Sequence, residues 1–240
     1  MRTAIVSDIH GNRTAFEAVL ADLRETSPDL ILHGGDLGDS GSSPVDVIDR
    51  IRDLGWQGVA GNTDEMLFDP GSLTRFASGL PQLKSLFDTI GEMAAAAREK
   101  MGEERLAWLH DLPRALIHEH FALVHARPDT CWRAPMDCAA DADLESIYGP
   151  LERPVVVYGH IHLPYIRHVA GVVVVNSGSV GLPHDGDRRA SYVLLDDGQP
   201  SIRRVEYDVD RELKALRGSG IPHAEWVARI LETASPQRPG

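Results

Sequence analysis

The sequence has little of several features that would define its class. Its 240 residues include only two cysteines, Cys131 and Cys138, too few for the disulfide framework of a small exported domain. No apolar stretch is long enough to cross a membrane, and the N-terminus enters a strand-like run without a signal-peptide pattern. We therefore expect a cytoplasmic protein without membrane contact, whose two cysteines are ordinary packing or loop residues.

The sequence also lacks a cluster of basic residues. Lys and Arg number 24 against 36 Asp and Glu, which gives a formal net charge of −12. Nucleic-acid-binding domains usually carry a basic face, so we expect no nucleic-acid partner. Acidity does not exclude a small phosphate-ester or nucleotide substrate, because bound cations would dominate the local field. A homo-oligomer remains an open alternative.

Hydrophobic periodicity in the first part of the chain predicts strands that alternate with helices. Short apolar runs at residues 4–6, 30–32 and 57–60 are separated by helical periods near 12–23 and 44–54. This alternation is typical of a mainly parallel sheet.

The later part of the chain has a different pattern of predicted elements. We expect a loop or lid over 63–80 and then a long helical region over 82–110. Further strands are predicted at 116–117, 121–124, 155–158, 165–169, 171–175, 191–195 and 202–207, and further helices at 137–148, 209–217 and 222–233. Hairpin turns between the last strands predict antiparallel pairing. A single domain over 1–234, with two sheets and a flexible tail over 235–240, is the expected organisation.

Five short segments place oxygen or imidazole donors directly after apolar runs. They are Asp8-Ile9-His10, Gly35-Asp36, Gly61-Asn62, Val124-His125 and Gly159-His160-Ile161-His162. The carboxyl ends of parallel strands meet at one sheet edge, so these distant donors can converge there. Carboxylate, imidazole and amide oxygen without thiolate favour Mn, Fe or Zn, and two such ions side by side are a device for hydrolysing phosphate esters.

Spacing within the segments supports the same interpretation. Residues two apart in an extended chain point to the same side, so Asp8 with His10, and His160 with His162, are expected to face one cavity. A glycine stands before Asp36, Asn62 and His160, where it would let the backbone approach an ion closely.

Taken together, the segments resemble the calcineurin-like metallophosphoesterase family, whose motifs are D-x-H, G-D-x-x-D, G-N-x-D/E, an isolated H and G-H-x-H. The matching stretches run in the family's order between residues 8 and 162, and the turn at 176–181 and the stretch at 185–190 are similar to its small bacterial and archaeal branch. That branch includes YfcE-like and diadenosine-tetraphosphatase-like phosphodiesterases. The resemblance implies an α/β fold, a four-layer α/β/β/α sandwich of two mixed sheets.

The resemblance also implies a metal-dependent phosphoesterase with two divalent ions, of Mn, Fe, Zn or Ni. The first ion would bind Asp8, His10 and His162, the second Asn62, His125 and His160, and Asp36 would bridge them. A hydroxide bridging the metals would attack phosphorus in a phosphodiester, a phosphomonoester or a nucleotide phosphoanhydride.

Several residues are candidates for catalytic roles beside the metals. The catalytic set predicted on this basis is Asp36, Asn62, Thr63, Asp64 and Arg127. Thr63 stands where many family members have His, and a hydroxyl is a poor proton donor at pH 7. Hydrolysis of esters with good leaving groups would therefore be slowed least. Asp39 and Asp64 are expected to orient a ligand imidazole. Arg127 either clamps a phosphate or forms a solvent-facing salt bridge.

Two other functions are compatible with the pattern. The same fold could serve as a non-catalytic binding scaffold, although such proteins usually have lost metal ligands and none is missing here. A nucleotide phosphatase that acts in signalling would share the chemistry and differ only in substrate. Among the remaining histidines, His184 lies in a loop that either faces the site or does not, and His33 is expected to be an ordinary packing residue.

Overall fold

The computed structural model describes residues 1–239, and these form ten strands and eight α-helices. The strands are β1 (Arg2–Val6), β2 (Leu30–His33), β3 (Gln57–Gly58), β4 (Ala115–Ile117), β5 (Phe121–Val124), β6 (Val155–Tyr158), β7 (Tyr165–Val169), β8 (Val172–Asn176), β9 (Ala190–Asp196) and β10 (Gln199–Val205). The helices are α1 (Arg13–Thr26), α2 (Pro44–Asp53), α3 (Asn62–Phe68), α4 (Gly71–Ala77), α5 (Lys84–His110), α6 (Asp141–Tyr148), α7 (Val209–Gly218) and α8 (Ala224–Thr233). The predicted flexible tail ends at Gly240, which lies outside the described residues.

The strands form two five-stranded mixed sheets. The first has the order β10-β9-β1-β2-β3 and the second β4-β5-β6-β8-β7. Strands β1, β2 and β3 run parallel in the first sheet, as do β5, β6 and β8 in the second. The outer pairs β9–β10, β4–β5 and β7–β8 are antiparallel.

Alternating side chains of the central strands build three apolar layers. In β1, Ala4 and Val6 face the cluster under α1 and α2, whereas Ile5 faces the cluster between the two sheets. In β6, Val157 joins the cluster between the sheets and Val156 joins the one under α6. Because both faces of these strands are buried, they are continuously apolar in sequence. The layers are therefore helices, sheet, sheet and helices, which confirms the predicted α/β/β/α sandwich.

The predicted loop or lid over 63–80 is wrong. Most of this segment forms α3 and α4, each seven residues long. Two helical turns are too short to establish an apolar period in the sequence. Both helices gain their stability by packing, since Met66 and Leu73 are buried together with Ala94 of α5.

The prediction that the later strands pair only antiparallel is also wrong in part. The hairpins β7–β8 and β9–β10 are antiparallel, but β8 lies parallel to β6, with Tyr158 opposite Asn176. Strand β9 returns to the first sheet and pairs with β1, with Ile5 opposite Val193. Local turn residues indicate a hairpin, but the partner on the far side of each hairpin is set by long-range packing.

Among residues 1–239, no helix is both long enough and apolar enough to cross a membrane.

Candidate metal centre

The donors predicted from the sequence converge where the parallel strands of both sheets end. Two sets of side chains have potential ligand atoms within 4.8 Å of one another: Asp8, His10, Asp36 and His162 in one, and Asp36, His125 and His160 in the other. The loops after β1 and β2 supply the carboxylates, and the loops after β5 and β6 supply three of the imidazoles. The two sheets thus join their edges at one buried cluster of donors.

Asp36 belongs to both sets and directs one carboxylate oxygen to each. Its Oδ2 atom lies 3.7 Å from His10 Nε2, and its Oδ1 atom lies 3.4 Å from His125 Nε2. The backbone N–H of Thr63 donates to the same Oδ1 atom at 2.9 Å. The carboxylate is therefore held between the two groups of imidazoles.

Asn62 adds an amide oxygen to the second set. Its Oδ1 atom lies 2.8 Å from His160 Nδ1 and 3.1 Å from His125 Nε2. Asn62 is the first residue of α3, directly after Gly61. All seven predicted donors are thus in one place, three around each end of the Asp36 carboxylate.

Three of the imidazoles are oriented by acceptors behind them. The Nδ1 atom of His10 lies 2.6 Å from Asp39 Oδ1. The Nδ1 atoms of His125 and His162 face the carbonyl oxygens of Gly34, at 2.8 Å, and Leu182, at 2.6 Å. A carbonyl oxygen only accepts, so these Nδ1 atoms donate their hydrogens and the Nε2 lone pairs turn toward the cluster.

The inward-facing atoms fit a divalent cation. The Nε2 atoms of His10 and His162 lie only 3.2 Å apart, although each ring uses its other nitrogen as a donor. Two buried lone pairs cannot satisfy each other, so they require a proton or a cation close to both. The carboxylates of Asp8 and Asp36 adjoin the same pair of rings. Oxygen and imidazole donors in this arrangement are typical of Mn, Fe and Zn sites.

Charges in the cluster shift one another's ionisation. Burial would raise the pKa of Asp36, but the imidazoles of His125, His10 and His160 outweigh it and hold that pKa well below its usual range. Burial would lower the pKa of His125, yet the Asp36 carboxylate raises it to about 10. Burial and the neighbouring His125 lower the pKa of His160 to about 4. The carboxylates therefore stay ionised and favour positive charge among them.

Two glycines allow the loops to approach the carboxylates. A Cβ atom on Gly61 would lie 2.0 Å from Asp36 Oδ1, and one on Gly159 would lie 2.2 Å from Asp8 Oδ2. No other residue fits these positions without displacing a carboxylate. The sequence predicts that these glycines let the backbone approach an ion; in the structure they let it approach the carboxylates of Asp36 and Asp8.

The donors do not lie on extended backbone as the two-residue spacing suggested. Asp8, His10, Asp36, His160 and His162 have φ between 49° and 68°, in the left-handed region. Non-glycine residues seldom adopt it, and such strain is often concentrated at functional sites. The prediction of extended backbone at Asp8–His10 and His160–His162 is therefore wrong, although both pairs do lie around the Asp36 carboxylate.

Asp39 and Asp64 have different roles from each other. Asp39 contacts the His10 ring, as the sequence analysis expected. Asp64 instead accepts backbone N–H groups, from Asp36 at 2.8 Å, Leu37 at 2.9 Å and Gly61 at 2.9 Å. Burial and the Asp36 carboxylate raise the pKa of Asp64 to about 6. The prediction that Asp64 orients an imidazole is wrong, because its carboxylate joins the loop after β2 to the start of α3.

Of the predicted catalytic residues Thr63 and Arg127, only Thr63 lies beside the donors. The Thr63 side chain is 7% exposed, borders the cavity beside the donors, and has a hydroxyl without a hydrogen-bond partner among the described residues. The Arg127 guanidinium pairs with Asp129 at 3.0 Å and is partly exposed. The structure therefore brings Thr63 beside the donors but directs Arg127 into the salt bridge that was its alternative.

Several contributors were not predicted. Ser7 Oγ donates to Asp8 Oδ2, and Ser179 Oγ donates to the Asp8 carbonyl at 2.7 Å. The carbonyls of Gly34 and Leu182 give no sequence signal, because every residue has one. His184, whose role was left open, places its ring 4.4 Å from that of His162.

A model of the family described as the calcineurin-like phosphoesterase superfamily domain matches residues 1–198 of the chain. The chain is also similar to the uncharacterized protein MJ0912 of Methanocaldococcus jannaschii. The two are 29% identical over 253 residues, which cover 95% of this chain and 96% of the relative.

Solved structures resemble the fold over its whole length. A metallophosphoesterase from Sphaerobacter thermophilus is 26% identical, with a TM-score of 0.78, over 98% of this chain and 100% of the other. The hypothetical protein PH1004 from Pyrococcus horikoshii OT3 has a TM-score of 0.84 at 21% identity, over 98% and 99% of the two chains. The latter similarity concerns the fold alone.

Proposed function

This chain belongs to the calcineurin-like phosphoesterase superfamily, and from that premise we propose that it is a hydrolase of phosphate esters that uses two divalent cations. The observation that carries the proposal is the position of Asp36. Its two carboxylate oxygens face two different sets of imidazoles, which is what a ligand shared between adjacent ions requires.

Each ion would have its own donors in addition to Asp36. The first would be held by Asp8, His10 and His162, and the second by Asn62, His125 and His160. Mn, Fe, Zn and Ni are all compatible with oxygen and imidazole donors. Bound there, the ions would lower the pKa of a water molecule and offset the charge that develops on the phosphoryl oxygens.

The chain's own residues prepare this site for the ions. Asp39 and the carbonyl of Leu182 hold the hydrogens of the His10 and His162 rings on their outer nitrogens. The inner nitrogens are thereby ready to bind without a change of tautomer. Ser7 and Ser179 fix the Asp8 residue from its side chain and its carbonyl.

Thr63 borders the cavity beside the proposed ligands. Its side chain is buried, its backbone N–H donates to Asp36 Oδ1, and its hydroxyl has no partner among residues 1–239, so in this proposal the hydroxyl would donate to a substrate oxygen. A hydroxyl stabilises charge by a hydrogen bond but does not supply a proton at neutral pH. The enzyme is therefore expected to act best on esters whose leaving group departs as an anion, such as aryl esters or phosphoanhydrides.

The experiment is hydrolysis of bis-p-nitrophenyl phosphate by the purified chain with Mn²⁺ and after chelation. We expect turnover with the metal, none after chelation, and recovery when Mn²⁺ is restored. Asp36→Asn should be inactive, whereas Asp53→Asn, which changes an exposed acid, should match the wild type. Metal-independent behaviour and silence on diesters, monoesters and nucleotides would instead favour the non-catalytic scaffold.

A further inference from the structure

We propose that an apolar cavity beside the donors binds the organic substituent of the substrate, and that this substituent is a flat aromatic group. The proposal rests on the proposed function, which concerns only the phosphate group of the substrate. It adds the chemical class of the organic substituent. It makes the substrate a phosphate ester with at least one aromatic substituent.

The cavity opens directly onto the donor cluster. Its lining includes His10, Asn62 and His160, which are three of the proposed metal ligands, and Thr63. A phosphoryl group held at those ligands has its ester substituents within reach of the cavity.

The apolar lining of the cavity comprises eleven residues, four of which are aromatic. Phe76 packs against Trp132 with ring centroids 4.9 Å apart and against Phe87 at 5.8 Å. Trp226 and Ile230 of α8 also line this space. Aromatic rings attract one another by offset or edge-on contact, so such a wall favours a ring over a flexible polar group.

The indole of Trp226 has its polar atom paired within the chain. Trp226 Nε1 donates to the carbonyl of Gln237 at 2.9 Å. Among the described lining residues, the polar ones are His10, Asp39, Ser40, Asn62, Thr63 and His160. Three of these are proposed ligands, and Asp39 and Thr63 each form a hydrogen bond with a proposed ligand. A nucleobase needs partners for its polar edge, whereas an unsubstituted aromatic ring needs none. The wall chemistry therefore favours a plain aromatic group.

The charge of the cavity lining and the volume of the cavity also fit an aromatic substituent. The described lining contains no Lys or Arg, so a second anionic group would find no counter-ion in the cavity. The volume is about 260 Å³. A cavity of roughly 150 Å³ holds benzene, so this one accommodates a substituted or fused ring.

Part of the wall comes from outside residues 1–198, the range that the family model matches. Helix α8, which follows that range, contributes Trp226, Val227 and Ile230. These three wall residues are thus separate in the chain from the proposed ligands. Selectivity for the substituent can change in α8 without altering the donors.

Binding of two phosphonates tests the proposal without requiring turnover. In the presence of Mn²⁺, phenylphosphonate and methylphosphonate share the same head group and differ in the substituent. We expect the phenyl compound to bind on the order of 30-fold more tightly, from the apolar area it buries. Titration calorimetry gives both constants, and quenching of tryptophan fluorescence reports occupancy beside Trp132 and Trp226.

Two variants of α8 locate the effect. Val227→Phe places a ring in the cavity and should reduce the ratio of the two constants to about one. Arg229→Phe adds the same ring on the exposed side of the helix and should leave the ratio as in the wild type. Phe76→Ala, at a half-buried wall position, provides a second test if Val227→Phe unfolds, and should weaken phenylphosphonate about fivefold or more.

The outcomes separate this inference from the proposed function. Equal binding of the two phosphonates by an enzyme that hydrolyses bis-p-nitrophenyl phosphate would overturn the cavity assignment alone. If neither phosphonate binds and nothing is hydrolysed, the proposed function fails, and 1-naphthol then tests the cavity by itself. Quenching by naphthol in the wild type but not in Val227→Phe would support the cavity, and no quenching in either would overturn it.

Discussion

The Nε2 atoms of His10 and His162 lie 3.2 Å apart, and each ring has its Nδ1 atom directed to an acceptor behind it. This relationship shows how contacts behind the rings turn two ring nitrogens toward one another in the candidate metal centre. The outer acceptors decide which nitrogen bears the hydrogen, and the inner nitrogens are left for a ligand. Substitution of a residue that orients a ring should therefore affect metal binding, as substitution of a ligand would.

Asp39 is expected to act on metal affinity through His10. Removal of its carboxylate in Asp39→Ala frees the His10 ring, which should weaken Mn²⁺ binding by about 10- to 100-fold. Isothermal titration of Mn²⁺ measures the change. Asp46→Ala, which removes an exposed acid paired with Arg13, is the matched control and should bind as the wild type. Unchanged affinity in Asp39→Ala would show that the contact has no orienting role.

Replacement of Gly61 should displace the Asp36 carboxylate. In Gly61→Ala the added Cβ atom would lie 2.0 Å from Asp36 Oδ1, so the carboxylate must move. A displacement of about 1 Å at a catalytic group can cost roughly 100-fold in rate, and we expect a fall in kcat/KM of that order.

The control for this change is Gly79→Ala. Gly79 is exposed, and a Cβ atom there would meet nothing within 4 Å. It should keep the activity of the wild type. Full activity in Gly61→Ala would contradict the close packing of the loop after β3 against Asp36.

Thr63 should affect catalysis without supporting the fold. Its hydroxyl has no hydrogen-bond partner within residues 1–239, so Thr63→Val should melt at the wild-type temperature. Loss of one hydrogen bond to the substrate, worth about 1.4 kcal/mol, should reduce kcat/KM about tenfold. Thr63→Ser retains the hydroxyl and should stay near the wild type. Equal rates for the Val and Ser variants would exclude the hydroxyl from the reaction.

His33 should make stability depend on pH in a defined window. Burial lowers the pKa of His33 from 6.5 to about 3, and neither of its ring nitrogens has a hydrogen-bond partner among the described residues. The unfolded chain therefore takes up a proton below pH 6.5 that the folded chain refuses until about pH 3. The free energy of unfolding should fall as pH falls through this range, by about 2 kcal/mol at pH 5.

Replacement of that imidazole should remove this component. Urea unfolding of His33→Leu and of the wild type at pH 8 and pH 5 gives a double difference that cancels any change in packing. We expect the variant to lose about 2 kcal/mol less than the wild type between the two values. Identical losses would mean that His33 accepts a proton in the folded protein.

The donors could be predicted from the sequence because their geometry has a local cause. Asp8, Asp36 and His125 each follow an apolar run, and parallel strands end at a common edge. The layers of the sandwich were predictable for a similar reason, since strands buried on both faces have continuously apolar sequences.

Other parts of the site depend on contacts between distant segments. The carbonyl of Leu182 reaches the His162 ring only because the loop after β8 crosses the end of β1. Trp132 and Trp226 meet at one cavity although they belong to a loop and to the last helix. Neither residue has a local pattern that distinguishes it from an ordinary core aromatic, so the cavity was not predictable from sequence.

Anomalous diffraction from crystals grown with Mn²⁺ tests the central claim most directly. The account predicts two manganese peaks about 3.5–4 Å apart, with Asp36 between them, Asp8, His10 and His162 around one, and Asn62, His125 and His160 around the other. A single peak, or manganese found only elsewhere on the chain, would contradict it.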